Sequence, residues 1–399
     1  MSLAQRYLDD MEARLIRYAP AFGAEYRGVL DESAYAQAFD VVCRHYAATR
    51  AAISRDRRGY VLIGERGQPE FVSVGRDQFE SALWGSWDNS VALARLVVGS
   101  DADGGITALR MSHAVVDGRA LNTIMYEVWS TYVDLVAGRK PVQAAPVPLP
   151  TPPFDLLSQR LQIANRAPSP QVSTAAIHVD SCEIVQPLLR LTAAETSGLV
   201  DTAKSVGLSV HSILCGSVLT AQRDFAEDLN GSARMFCWAA VDLRDRVSPP
   251  VSATETSMFV TMHRADVEVD RADDMMRVAK LVADQVDEAL ADPRKLSADM
   301  SGMLELDTES RLGQQLANTG VSNYGRLAVI PNAEGLQIAN FRTMVNVYPP
   351  VSPGYSVYTY GGRLNLQCRF RSDTFSSSQI DRLTTDIVTR LRTIAGHGV

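Results

Sequence analysis

The chain has 399 residues, of which 46% are hydrophobic and 21% charged, and its formal net charge is -7 at pH 7. That makeup describes a packed globular protein and excludes wholesale disorder, and the length points to two domains of near 200 residues. An acidic balance without a basic block argues against nucleic acid or an anionic membrane surface as partner.

The opening MSLAQRYL has neither a charged n-region nor an apolar h-region, so no signal peptide is expected. No stretch approaches the length of an apolar membrane span. Five scattered cysteines, Cys43, Cys182, Cys215, Cys237 and Cys368, form no CxxC pair. A reduced cytoplasmic protein without a disulfide framework or a cysteine metal site is expected.

Asp31 to Ala48 reads as an amphipathic helix, because Tyr35, Ala38, Phe39, Val42 and Tyr46 recur at the spacing of one apolar stripe. Asp31 is its candidate N-cap. Tyr60 to Ile63 is a short strand candidate. Val91 to Val98 and Ile106 to Met111 read as strands separated by the turn-forming GSDADGG. The second runs straight into His113. A helix from Arg119 to Val136 follows, with Leu121, Ile124, Met125, Val128, Trp129 and Tyr132 on one face. Six prolines between Pro141 and Pro153 then exclude a continuing helix or a central strand and mark a surface linker. The linker is placed at about 139–175, dividing a domain 1–175 from a domain 176–399.

The second half opens on a capping box, Thr192-x-x-Glu195, ahead of a helix ending near Gly207. A helix from Val210 to Leu229 follows. Phe236 to Leu243 and Phe259 to His263 are strand candidates, and Asp273 to Leu290 a helix. Later strands are expected at Leu327 to Ile330, Thr343 to Val347, Tyr355 to Tyr360 and Leu364 to Phe370. Asp381 to Ile394 closes the pattern as a helix. Both halves mix helices with strand hairpins, which implies two α/β layers of related build.

The chemistry-bearing motif is His113-Ala114-Val115-Val116-Asp117-Gly118, an HxxxDG at the end of a strand and just before a helix. Imidazole is the side chain whose unperturbed pKa suits a base near pH 7. An alcohol or amine attacking a thioester must lose a proton as its bond forms, and a histidine within reach can take it. Asp117 needs a partner if buried, and an arginine could supply one. Gly118 would allow a turn that a side chain would obstruct.

HAVVDG resembles the HxxxDG signature of the coenzyme A-dependent acyltransferase superfamily, which includes condensation domains, plant BAHD acyltransferases and chloramphenicol acetyltransferase. The likeness is strongest to stand-alone polyketide-associated members such as phthiocerol dimycocerosyl transferases. Leu30 to Arg50 resembles the opening helix of condensation domains, Val241-Asp242-Leu243-Arg244 their VDLR-like strand, and Ser322-Asn323-Tyr324-Gly325 their SNxG segment. The resemblance implies two chloramphenicol acetyltransferase-like α/β domains forming a V, with a tunnel between them and His113 at its centre. It makes Asp117 structural with Arg244 as partner, and makes Ser322 and Asn323 candidates for the oxyanion or for substrate. It implies no cofactor: the thioester, on coenzyme A or an acyl carrier protein, is itself a substrate. A small-molecule alcohol or amine accepts the acyl group, and a monomer is expected.

Two departures from the superfamily patterns narrow the reading. Ser112 stands where many condensation domains have the first histidine of HHxxxDG, which resembles the ester-forming branches. The DFGWG segment of the plant branch is missing. The expected function is transfer of an acyl group to a hydroxyl of a secondary metabolite or lipid, with His113 as general base. The alternatives are an amide-forming free-standing condensation enzyme, a related fold recruited for a reaction such as cyclisation, and a carrier-protein binding module without turnover. Simpler roles stand beside each residue. His113 could be a core histidine. Asp117 could be a second acid, and Arg244 a phosphate clamp. Ser322 and Asn323 could pair strand backbone or cap a turn. His45, His178, His211, His263 and His397 form no HxxxH or HExxH cluster, so a metal site is not expected.

Overall fold

A computed structural model describes residues 4–141, 145–162, 184–226, 231–292, 318–344 and 353–396. In chain order the first part contains β1 (Gln5–Tyr7), α1 (Asp10–Leu15), β2 (Ala21–Gly28), α2 (Glu32–His45), β3 (Ala52–Arg55), β4 (Tyr60–Ile63), β5 (Glu70–Gly75), α3 (Phe79–Trp84), β6 (Ala94–Ser100), β7 (Gly104–Met111), α4 (Gly118–Val136) and α5 (Pro153–Leu161). There follow β8 (Ile184–Val185), β9 (Leu188–Arg190), α6 (Ala193–Ser205), α7 (Val210–Phe225), β10 (Ala233–Asp242), β11 (Val260–Val269), α8 (Met275–Leu290), β12 (Asn318–Arg326), β13 (Leu336–Met344), β14 (Gly354–Tyr360), β15 (Arg363–Arg371) and α9 (Ser377–Gly396).

These elements group into two compact α/β units. The first takes Met1–Ala176 together with Leu243–Phe259 and Ala328–Asn346, and the second takes Ile177–Asp242, Val260–Leu327 and Val347–Val399. A single cut near residue 175 therefore leaves out two later segments that pack with the first unit. Their attachment has visible causes. Ser257 Oγ donates to the buried Glu12 carboxylate at 2.5 Å, and Thr256 Oγ1 donates to the Thr151 carbonyl at 2.7 Å. β13 pairs antiparallel with β2 from Leu336 to Met344 with a register shift between Ile338 and Asn340, and Arg342 lies 2.7 Å from Glu25 across that pair.

The first unit is built on a five-stranded sheet of order β13-β2-β7-β6-β5, with β1, β4 and β3 in a small separate sheet. Every residue of β7 is buried, because both faces of the large sheet are covered there. On one face lie α2 and α4. Tyr35, Trp129 and Tyr132 pack ring to ring with centroids 4.8 to 5.6 Å apart, and the Tyr35 hydroxyl lies 3.1 Å from Thr107 Oγ1 of β7. On the other face Phe79 and Leu83, at the start and end of α3, pack with Ile106, Ala108 and Val97. α2 forms where its stripe predicts, with Asp31 accepting from the Ala34 N–H at 3.0 Å. Tyr46 lies beyond its end, where the chain tightens into a 3₁₀ turn.

The second unit has a seven-stranded sheet of order β11-β10-β12-β14-β15-β8, with β9 also pairing β15. Its capping box at Thr192 and Glu195 is formed in both directions. α7 ends at Phe225, and 227–230 lie outside the described residues. Leu327 to Ile330, expected as a strand, is irregular. β12 ends at Arg326 after a register shift with Gly325 at φ 69; the Leu327 N–H still donates to the Thr359 carbonyl at 2.9 Å, but the pairing stops there and Pro331 ends the run. The strand expected at Thr343 to Val347 instead spans Leu336–Met344, and 345–352 lie outside the described residues. β2, β5 and β12 were not anticipated. β2 reads AFGAEYRG and is buried on both sides along most of its length, so alternation gives no signal.

Phe341 of β13 is 2% exposed and meets Phe22 of β2 edge to face at 5.7 Å. Phe341→Ala is expected to cost about 3–5 kcal/mol. Urea unfolding should show a lower midpoint, and an unchanged midpoint would detach this late segment from the first unit's core.

Candidate active site

β7 delivers His113 two residues past its last paired residue. The Met111 N–H donates to the Pro20 carbonyl, Ser112 N–H to Leu93 at 3.0 Å and His113 N–H to Tyr18 at 2.8 Å. The strand's exit is thus tied on both sides. The Val115 N–H then donates back to the Ser112 carbonyl at 3.1 Å, turning the chain toward α4.

The imidazole closes that turn on itself. Nδ1 of His113 lies 2.7 Å from the Val116 carbonyl oxygen. A carbonyl can only accept, so Nδ1 carries the proton and, in the neutral ring, Nε2 holds the lone pair. The ring lies deep, yet the residue keeps partial solvent exposure. Burial pushes its pKa below the usual imidazole value. The Val116 contact and the Asp117 charge oppose that shift without reversing it. At neutral pH the ring is therefore held in its proton-accepting form.

Asp117 is 2% exposed and caps α4. Its Oδ1 accepts from the backbone N–H groups of Arg119 at 3.1 Å and Ala120 at 3.0 Å. Its Oδ2 accepts from the Phe259 N–H at 3.1 Å and from Arg244 Nη1 at 2.7 Å. Four donors occupy the acceptor positions of one carboxylate, which leaves no oxygen facing a reacting group. Arg244 is fully buried, and its remaining nitrogens donate to the carbonyls of Ser252 at 3.3 Å and Ala253 at 3.1 Å. No geometry here makes Arg244 a clamp for an external phosphate. Gly118 is the first residue of α4, directly after the capping Asp117. Ser112 is fully buried, with Oγ unpartnered, and Val115 and Val116 face an apolar crevice shared with Tyr46, Ala120, Ile124 and Pro148.

Ser322 and Asn323 lie on β12 of the second unit. The Asn323 side-chain oxygen accepts from the Gly325 N–H at 2.9 Å, forming the turn at the strand's bulge. Ser322 pairs in register with Ser356 of β14 and is half-buried. His45, His211 and His263 stand apart from the motif, and His178 and His397 lie outside the described residues. Sequence reasoning missed Val116 and Phe259. Both act through backbone atoms, which residue type does not reveal.

A family model described as "Phthiocerol/phthiodiolone dimycocerosyl transferase C-terminus" matches residues 181–369. The phthiocerol/phthiodiolone dimycocerosyl transferase of Mycobacterium ulcerans (strain Agy99) is 24% identical over 359 residues, covering 84% of each chain. Among solved structures, polyketide synthase associated protein 5 from Mycobacterium tuberculosis superimposes with a TM-score of 0.76 at 18% identity, over 99% of this chain and 98% of that one. The trichothecene 15-O-acetyltransferase of Fusarium sporotrichioides gives 0.71 at 12% identity, over 98% and 96%. The fold is that of condensation-domain-like proteins and acyltransferases, and the curated relatives are acyl transferases. Within that class the chain is similar to the phthiocerol/phthiodiolone dimycocerosyl transferases.

Arg244→Met would leave the Asp117 carboxylate buried without its counter-charge, and a loss of about 3–5 kcal/mol is expected. Denaturant titration measures it. A variant as stable as the parent would show that this pair does not hold the loop.

Proposed function

We propose that the protein moves an acyl group from a thioester to a hydroxyl of a lipid or secondary metabolite, with His113 as the general base. The relatives' names supply the acyl-transfer class and an alcohol-type acceptor. One observation carries the assignment of the base: Nδ1 of His113 is engaged by Val116 at 2.7 Å, so the free lone pair is on Nε2, in a residue that keeps partial exposure.

In the proposed reaction the acceptor hydroxyl gives its proton to Nε2 as its oxygen bonds to the thioester carbonyl carbon. The tetrahedral intermediate carries negative charge on the former carbonyl oxygen. Collapse breaks the carbon–sulfur bond, and the imidazolium returns the proton to the departing thiolate. The products are an ester and a free thiol, and the base is regenerated. Asp117 acts only by holding the loop. Either coenzyme A or an acyl carrier protein would present the same thioester. Ser112, in place of a second motif histidine, favours the ester-forming reading over the amide-forming one.

Two measurements test this. Free-thiol release from an acyl thioester and an alcohol panel should fall on the order of a hundredfold or more in His113→Ala, with the fold retained. Unchanged release would remove His113 from the chemistry. The acid limb of kcat/KM should also inflect below about 6.5, because burial depresses the pKa of the base and only its neutral form accepts a proton. Activity is then retained on acidification past the usual imidazole range and lost only below it. A limb above that value would contradict a desolvated imidazole base.

A further inference from the structure

The sheet of the second unit has one face packed by its helices. Gln222 of α7 reaches the Tyr355 hydroxyl at 3.4 Å, and Cys237, Val321, Val357, Leu366 and Cys368 are buried alongside. Strand alternation puts the intervening residues on the opposite face. Their register forms two cross-strand rungs. Trp238 of β10 pairs Gly320 of β12, Gly320 pairs Gly354 of β14, and Gly354 pairs Arg369 of β15. One step along, Ser322 pairs Ser356, and Ser356 pairs Gln367.

The first rung has a floor without side chains. Among the described residues, a Cβ placed on Gly320 would meet nothing within 4 Å. A Cβ on Gly354 would fall 2.5 Å from Nη2 of Arg369, so the guanidinium lies across that glycine and over the floor. Among the described residues the Arg369 side chain has no salt bridge and no hydrogen bond. Its recorded electrostatic neighbours are a phenol, Tyr324, and the Cys368 thiol, whose pKa burial pushes well up. Burial lowers the pKa of Arg369 itself. Arg369 is half-buried, so its guanidinium lacks a counter-ion among the described residues while staying within reach of a ligand. At the other end of the rung the Trp238 indole N–H is buried and unpartnered. On the second rung Ser356 is fully buried with a free Oγ. Gln367, 1% exposed, has its Nε2 on the carbonyls of Gln186 and Pro187 and its Oε1 on nothing.

We propose that this face binds an oxyanion, the carboxylate or phosphate of a small acidic ligand, between the Arg369 guanidinium and the Trp238 indole N–H over the floor of Gly320 and Gly354. The guanidinium supplies charge-assisted hydrogen bonds and the indole N–H a further donor. Ser356 Oγ extends the donor row. Gln367 Oε1 accepts a hydroxyl or amide hydrogen carried next to the anionic group, so an acid with a neighbouring polar hydrogen fits better than a bare ion. The site uses only residues of the second unit and does not depend on the role proposed for His113.

The test is thermal unfolding and titration calorimetry with inorganic phosphate and, separately, butyrate, each against sodium chloride at matched ionic strength. The wild type is expected to gain Tm with at least one of the two, and the responding arm identifies the source as phosphate or carboxylate. Arg369→Met should abolish that gain while melting no lower than wild type in chloride, because it removes an unpaired charge. Gly354→Ala keeps the arginine but displaces its guanidinium, and should weaken binding on the order of tenfold. His113→Ala should keep the response. No oxyanion-dependent gain in the wild type, or an equal gain in Arg369→Met, overturns the proposal.

Discussion

The architecture around the motif rests on one carboxylate. Asp117 is removed from water and receives four hydrogen bonds, two from the first turn of α4, one from the Phe259 backbone and one from the Arg244 guanidinium. An ionised side chain in that setting is stable only when every lone pair is met. The requirement ties the start of a helix to a segment more than a hundred residues later. It also sets the length of the turn between β7 and α4, and that turn is what holds His113. Removing either charge leaves the other stranded, so the pair acts as a constraint more than as a source of net stability.

The histidine owes its properties to the same turn. Its Nδ1 is held by a carbonyl three residues on, so the tautomer follows from the backbone path and not from a second acid. The motif therefore divides its labour. His113 keeps one nitrogen open, Asp117 keeps none of its oxygens open, and the residues between them bury their side chains in the first unit. A buried imidazole prefers its neutral form, which suits the acyl-transfer class that the relatives define.

The two sheets differ in how they use their faces. In the first unit α2 and α4 cover one face and α3 covers part of the other, so its central strand is buried throughout and reads as a continuous apolar run. In the second unit the helix-packed face is apolar, while the other carries serine, glutamine, arginine and glycine at paired positions. Polar side chains buried without partners are uncommon in folded proteins, and Trp238, Ser356 and Gln367 place three such groups on this face.

Much of the local structure could be read from residue order. The stripes of α2 and α4, the capping box of α6 and the strand leading to His113 depend on neighbours within a few positions, and near neighbours are what a linear pattern encodes. The motif itself was equally legible, because its spacing is short. What only the tertiary structure decided involves partners far apart in the chain. Examples are the four donors to Asp117, the return of Leu336–Met344 to pair with β2, and the alignment of Trp238, Gly320, Gly354 and Arg369 on one sheet face. Register between strands and the destination of a buried charge are settled by closure of the whole fold, and no local pattern of residues carries that information.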